Sequence, residues 1–240
     1  MSMLSTRGAA AVSESMAILR GLAPDGGLYV PDELPVFSAS ELEALYALPY
    51  AELSAAVLER FLPGFSREEL LEYTKKAYAS FDDDAVVPLH ALGDKLWTME
   101  LFHGPTFAFK DFGAGFMGRM VGLLGGADEK LVILTATSGD TGSAVAHGFY
   151  DVPGVEVVLL YPEGKISRLQ ECQMTALGGN IHPLRVGGTF DDCQRLVKEL
   201  FADSSFRAAH RVSSANSINL LRWIPQAFYY FSVSYTHLTL

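Results

Sequence analysis

The stretch that decides the fold is residues 131–161, LVILTATSGDTGSAVAHGFYDVPGVEVVLLY. Leu131 to Ala136 is a short apolar run ending in a small polar turn, Thr137-Ser138-Gly139-Asp140-Thr141-Gly142. The spacing predicts a helix over 141–150 and a second buried strand over 155–161. Two apolar runs of strand length flanking a helix of about ten residues describe a βαβ unit, whose strands are parallel and covered on both faces.

The pattern extends in both directions. Downstream it predicts a helix over 166–177, a strand over 180–184 and a helix over 190–201; upstream, a strand over 95–102 and a helix over 109–124. Residues 82–233 therefore read as one mainly parallel α/β domain. Residues 1–81 differ. Ala23-Pro24-Asp25-Gly26-Gly27 is turn chemistry leading into Leu28-Tyr29-Val30, and 40–80 is helical, with capping boxes read at Ser40–Glu43 and Ser66–Glu69. The acidic run Asp82-Asp83-Asp84 marks the boundary, or is simply a solvated loop. Residues 217–231 read as a further helix without a stop signal, and 234–240 as a tail that is foreign to the fold or disordered, with a C-terminal strand as the alternative.

Composition narrows the function. With 240 residues, 49% hydrophobic and 19% charged, the chain can bury a large core. A net charge of −10 argues against nucleic acid as the main partner, yet leaves room for a small phosphorylated metabolite. No apolar run reaches about 18 residues, the length that spans a membrane, and no apolar leader opens the chain. Two cysteines without CxxC spacing suggest a reducing, cytoplasmic setting, and six histidines without HxxxH or HExxH spacing give a metal site little support.

Three segments carry chemistry. The first is 101–113, LFHGPTFAFKDFG, in which Lys110 sits among Phe107, Phe109 and Phe112 at a helix start. A lysine is nucleophilic only when neutral, and desolvation by an aromatic collar favours the neutral form; the alternative is a surface Lys110–Asp111 ion pair. His103 and Asp111 are candidate acid, base or orienting groups, although a lone histidine is more often structural. Gly113-Ala114-Gly115-Phe116-Met117-Gly118 matches G-x-G-x-x-G by letter. A dinucleotide site needs those glycines directly after a strand, so they read better as close-packing positions on a helix. The second segment is the turn 137–142, where backbone N–H groups, hydroxyls and a helix dipole make an anion site or a well-capped helix. The third is 213–222, SSANSINLLR, with Asn216, Ser217 and Asn219 at a helix start and Arg222 beyond them; arginine binds phosphate bidentately. Gly164-Lys165-Ile166-Ser167 adds a possible cation.

Taken together these segments resemble the threonine synthase family in its bacterial and fungal branch, from Ser5-Thr6-Arg7-Gly8 through His103-Gly104-Pro105-Thr106, Ala108-Phe109-Lys110-Asp111, 137–142 and Tyr161-Pro162 to 214–219. The resemblance implies a type II pyridoxal-phosphate fold like that of the tryptophan synthase β subunit, with a C-terminal portion beyond residue 240. It implies that Lys110 holds pyridoxal 5′-phosphate, with Asp140 beside the cofactor ring. Thr137, Ser138, Gly139 and Thr141 would meet the substrate's anionic groups, and Asn216, Ser217 and Arg222 its phosphate. The implied activity is a carbon–oxygen lyase reaction converting O-phosphohomoserine and water to threonine and phosphate. The wider superfamily carries asparagine where Asp140 stands, and its glycine loop for the cofactor phosphate comes later in the chain. Two alternatives remain at this point: a type II serine or threonine dehydratase, and a non-catalytic relative that binds a phosphorylated ligand.

Overall fold

The computed structural model describes residues 1–125 and 130–238. The chain opens with β1 (Ser2–Ser5), β2 (Val12–Ser13), α1 (Glu14–Arg20) and β3 (Tyr29–Pro31), and the three strands form an antiparallel sheet in the order β2-β1-β3. The turn at Asp25 ties the end of β1 to the approach to β3. Its carboxylate accepts hydrogen bonds from Ser5 Oγ at 2.8 Å, Gly27 N at 2.9 Å and Ala9 N at 2.7 Å, and these bonds, the one from Gly27 foremost, lower its pKa. The motifs 5–8 and 23–29, far apart in sequence, are therefore one structural unit.

Helices α2 (Ala39–Tyr46), α3 (Tyr50–Phe61) and α4 (Arg67–Tyr78) follow. The capping box at Ser66–Glu69 forms as read. The one assigned to Ser40–Glu43 is corrected: the same S-x-x-E spacing occurs two residues earlier, and the helix starts from Ser38 with Glu41 as its partner. Glu41 also receives Arg60 Nη1 at 2.9 Å, a tie to α3 that favours the earlier start.

The strand expected over 95–102 is also corrected. Asp94 and Lys95 turn the chain, so β4 (Leu89–Gly93) and β5 (Leu96–Met99) form an exposed antiparallel hairpin separate from the parallel sheet. Then come α5 (Lys110–Gly125), β6 (Leu131–Ala136), α6 (Asp140–Phe149), β7 (Val155–Pro162), α7 (Arg168–Thr175), β8 (Ile181–Val186) and α8 (Phe190–Ala202). All seven lie within a residue or two of expectation. Residues 203–213 hold two elements not foreseen, α9 (Ser204–Ala209) and β9 (Arg211–Ser213).

The helix expected over 217–231 is two helices, α10 (Leu220–Trp223) and α11 (Pro225–Leu238), because Asn219 caps the first and Pro225 opens the second. Helix α11 continues through Leu238, which corrects the alternative of a C-terminal strand there. No glycine or proline follows Pro225 to end the helix. Residues 239 and 240 lie outside the described part.

Four parallel strands form the main sheet in the order β8-β7-β6-β9. Alternation sets its two faces. Leu131 and Ile133 of β6, with Val157 and Leu159 of β7, pack toward α5 and α6; Leu134, Ala136 and Leu160 face Cys193 and Val197 of α8. The first face joins a core that runs from Met3 to Tyr229, so the N-terminal helices and the α/β layer share one interior. None of the described helices is long and apolar enough to cross a membrane.

Candidate active site

Strand order fixes where a ligand can enter. From β6 the chain steps outward to β7 and β8, then returns to the other flank of β6 with β9. The direction reverses between β6 and β9, and in open α/β sheets the crevice at the carboxyl ends of two such strands is the binding position. The segments leaving those ends are 137–139 and 214–219. They meet there: Asn216 Nδ2 donates to the Ala136 carbonyl at 3.3 Å.

Lys110 enters from a third direction, as the first residue of α5. Its Nζ lies 3.6 Å from Asp140 Oδ2, at the start of α6, and 4.5 Å from the centroid of the Phe109 ring. The side chains are 23% and 51% exposed, so the pair is open to a ligand. The expected three-membered aromatic collar is corrected. Phe112 lies two residues along the helix, on another side, and packs against Tyr50, Phe81 and Tyr229; Phe107 is 62% exposed. Both neighbours of the amine, a carboxylate and a π face, attract a cation. Lys110 therefore pairs with Asp140, and not on the surface with Asp111.

Asp111 is buried and has a different task. It accepts from Thr106 N at 2.9 Å and Thr106 Oγ1 at 2.5 Å, binding the loop 103–107 to the helix start. Burial raises its pKa against those hydrogen bonds. Gly104 is required because a Cβ there would lie 2.5 Å from Asp111 Oδ2. His103 is structural as well: Nδ1 meets Asp82 at 2.6 Å and Nε2 meets Glu100 at 2.8 Å, both of which raise its pKa. The acidic run at 82–84 is thus partly engaged. The G-x-G-x-x-G glycines are close-packing positions: a Cβ at Gly113 would lie 2.5 Å from the Arg222 carbonyl oxygen, and one at Gly118 would overlap the Gly148 carbonyl.

In the turn, Thr137 Oγ1 accepts from Gly139 N at 3.0 Å and Gly142 N at 2.7 Å, and donates to the Gly139 carbonyl at 3.1 Å. One donor and two acceptors exhaust a hydroxyl. Thr137, 1% exposed, therefore locks the turn and has nothing left for a substrate, which corrects its expected role. Gly139, buried, has φ 134° and ψ −91°, a conformation that excludes residues with a Cβ. By helix geometry the N–H groups of Asp140 and Thr141 have no acceptor within α6, and the helix dipole there favours negative charge. Ser138 and Asp140 are exposed and Thr141 is half-buried.

The third segment divides in the same way. Ser217 is exposed and Asn216 half-buried, and Asn216 Oδ1 has no partner among the described residues. Asn219 is fully buried; it caps α10 and donates to the Ile18 carbonyl at 2.8 Å. Arg222 lies behind Lys110. Only 1% exposed, it sends Nη1 to the Lys110 carbonyl at 2.8 Å and leaves Nε unpartnered. Burial draws its pKa down to about 10, with Asp111 opposing. It braces the lysine from behind.

Sequence reading missed Gln170, whose Nε2 donates to Asp140 Oδ1 at 2.5 Å. Its signal was present, since Ser167-x-x-Gln170 has capping-box spacing.

A lysine amine, a facing carboxylate, unpaired helix N–H groups and the orphaned acceptor of Asn216, gathered at a switch point, suit a cofactor that bears both an aldehyde and a phosphate. Residues 85–227 match the family of pyridoxal-phosphate dependent enzymes, and the chain belongs to that family. Residues 2–78 match the threonine synthase N terminus. The chain is similar to threonine synthase of Escherichia coli (strain K12), 45% identical over 220 residues, covering 92% of this chain and 50% of that protein. It is also similar to threonine synthase of Schizosaccharomyces pombe, 39% identical over 243 residues, covering 96% and 47%. Among solved structures, a PLP-bound threonine synthase from Brucella melitensis superposes with a TM-score of 0.91 at 40% identity, over 98% of this chain and 52% of that one. The yeast enzyme gives 0.88 at 36% identity, over 98% and 50%. The chain spans about half the length of these relatives.

Proposed function

We propose that this chain is the N-terminal part of a threonine synthase, with a unit at 1–81 joined to a pyridoxal-phosphate-binding unit at 82–233. The observation that carries the reading is the meeting of Lys110, Asp140 and the start of α6 at the switch point between β6 and β9. Its small-molecule partner would be a phosphorylated amino acid, O-phosphohomoserine, converted with water to threonine and phosphate in the cytoplasm.

Lys110 would hold the cofactor, with Asp140 beside it. When bound, pyridoxal phosphate supplies an electron sink for charge left on substrate carbon. Lys110 Nζ would move protons at the substrate's carbon atoms, with the Asp140 carboxylate 3.6 Å away orienting the amine. The N–H groups of Asp140 and Thr141, with the hydroxyls of Ser138 and Thr141, receive an anionic group of the substrate. Asn216 and Ser217 bind from the β9 side. Gly139 and Thr137 hold the turn in shape, and Arg222 fixes the backbone beneath the lysine.

The test is to incubate the protein with pyridoxal phosphate, reduce with borohydride and map the modified peptide. Lys110 should carry the label ahead of every other lysine; an unmodified Lys110 refutes the assignment. Phosphate release from O-phosphohomoserine, against keto-acid release from threonine, separates the synthase from a dehydratase.

A further inference from the structure

Among the described residues four helices begin with a capping box, and three close it with a carboxylate: Ser38–Glu41, Ser66–Glu69 and Thr189–Asp192. The fourth, Ser167–Gln170 at the start of α7, closes with an amide. For the cap alone a carboxylate serves equally well, because the group is needed only to accept the Ser167 N–H. The difference lies on the other side of the amide. Gln170 Oε1 accepts from Ser167 N at 3.0 Å, which fixes the amide's orientation and turns Nε2 toward Asp140 Oδ1 at 2.5 Å. A glutamate here would set two carboxylates against each other. The other oxygen of Asp140, Oδ2, faces Lys110 Nζ at 3.6 Å.

The amide is also held in place from below. A Cβ on Gly139 would collide with the Gln170 amide group, so the glycine that shapes the turn also makes room for this side chain. The other half of the box is closed as well: Gln170 N donates to Ser167 Oγ at 3.2 Å. Asp140 is half exposed, and a carboxylate in that state has several rotamers open to it. With one oxygen occupied by Gln170, only the other remains for Lys110.

We propose that Gln170 is a positioning residue: it orients the Asp140 carboxylate so that the free oxygen faces the Lys110 amine, and it is an amide because a carboxylate would fill the cap but repel Asp140. This rests on the reading of Lys110 as the cofactor-bearing lysine, and it deepens that reading by assigning the contact that aims its counter-ion.

A cofactor-free measurement tests it: the rate at which acetic anhydride acylates Lys110 in the full chain, followed by peptide mass mapping between pH 6 and 10. An amine engaged by a facing carboxylate is less available to the reagent, so the pair slows the reaction. Asp140→Asn should acylate faster by about threefold or more, the size expected for a half-exposed pair at this distance. Gln170→Met should also be faster, by no more than Asp140→Asn, and the double variant should match Asp140→Asn alone, because Gln170 acts only through Asp140. Ser167→Ala removes the cap and leaves the amide donor, so it should keep the wild-type profile even where it lowers the melting temperature. The proposal is overturned if Gln170→Met acylates at the wild-type rate, if Asp140→Asn does, if the two effects add, or if Ser167→Ala reproduces the Gln170→Met profile. Failure of the borohydride label on wild-type Lys110 would instead remove the cofactor reading and leave this result standing.

Discussion

Replacing Thr137 by valine isolates the lock of the 137–142 turn. Valine keeps the volume of the buried side chain and deletes only the hydroxyl. That hydroxyl accepts from Gly139 N at 3.0 Å and from Gly142 N at 2.7 Å. Each buried N–H left without an acceptor costs about 1–3 kcal/mol. Water entering beside exposed Ser138 can recover part of the first loss; Gly142 lies packed against Met174 and has no such relief. The expected loss is therefore about 2–4 kcal/mol, or roughly 5–15 °C in melting temperature for a chain of this size. Urea unfolding should show a lower midpoint with an unchanged slope, because the surface exposed on unfolding is the same. Thr137→Ser, which keeps the hydroxyl and loses one methyl, should fall by only about 0.5–1.5 kcal/mol. A Thr137→Val protein within about 0.5 kcal/mol of wild type would refute the claim that this hydroxyl is committed to the turn, and would return Thr137 to the candidates for substrate contact.

Arg222→Met should stay within about 1.5 kcal/mol of wild type, since the lost bond to the Lys110 carbonyl is offset by removal of a buried charge and an orphaned Nε, whereas Arg222→Ala should lose about 3–5 kcal/mol through the cavity it leaves; urea titrations of both check this. His103→Gln should be pH-dependent. Glu100 and Asp82 raise the folded pKa of His103 above the ordinary histidine value of 6.5, so its stabilisation is full below that value and fades as pH rises through the raised one. The melting-temperature gap between His103→Gln and wild type should accordingly be widest in acid and narrow in alkali, and a gap that widens in alkali reverses the assignment. Lys110→Ala should abolish the visible absorbance that pyridoxal phosphate gains on binding the wild-type protein.

The sheet was legible where physics leaves a local mark. Buried parallel strands such as Leu131–Ala136 and Val155–Pro162 are apolar on both faces, and the turns between them are small and polar. Strand β9 left no such mark. Arg211-Val212-Ser213 has a single apolar residue, and it becomes a strand only because the edge of β6 is there to pair with it. Yet β9 creates the switch point, so the feature that places the crevice was the one sequence could not show. The same limit applies to Arg222. A lone arginine on a helix reads as surface or ligand-binding, and only packing against α5 reveals that it is sealed behind Lys110. Lys110, Asp140 and Asn216 were legible through the order of their motifs, while the Gln170–Asp140 contact joins residues 30 apart and needed the packing of α6 on α7.

The unfavourable features of this structure are unevenly spread. Phe107 holds φ at 60°, in the left-handed region that non-glycine residues avoid, three residues before the lysine. Asp111, the next residue after it, is buried with its pKa raised. Arg222, beneath it, is a buried cation with an unpartnered nitrogen. Gly139, beside its counter-ion, takes a backbone conformation closed to other residues. Val86 and Asp151 show that a positive φ also occurs elsewhere in the chain, but among the described residues only around Lys110 do strain, buried charge and an orphaned donor occur together. Such features each cost on the order of 1–3 kcal/mol and persist where the surrounding structure over-determines them. Stability alone would select against the left-handed Phe107 and the orphaned nitrogen of Arg222. The common effect of all four features is to fix one amine, from its backbone and from its counter-ion, at the mouth of the crevice between β6 and β9. That is what the role proposed for Lys110 requires: an amine found in one place by a cofactor and able to hand protons to a substrate from that same place.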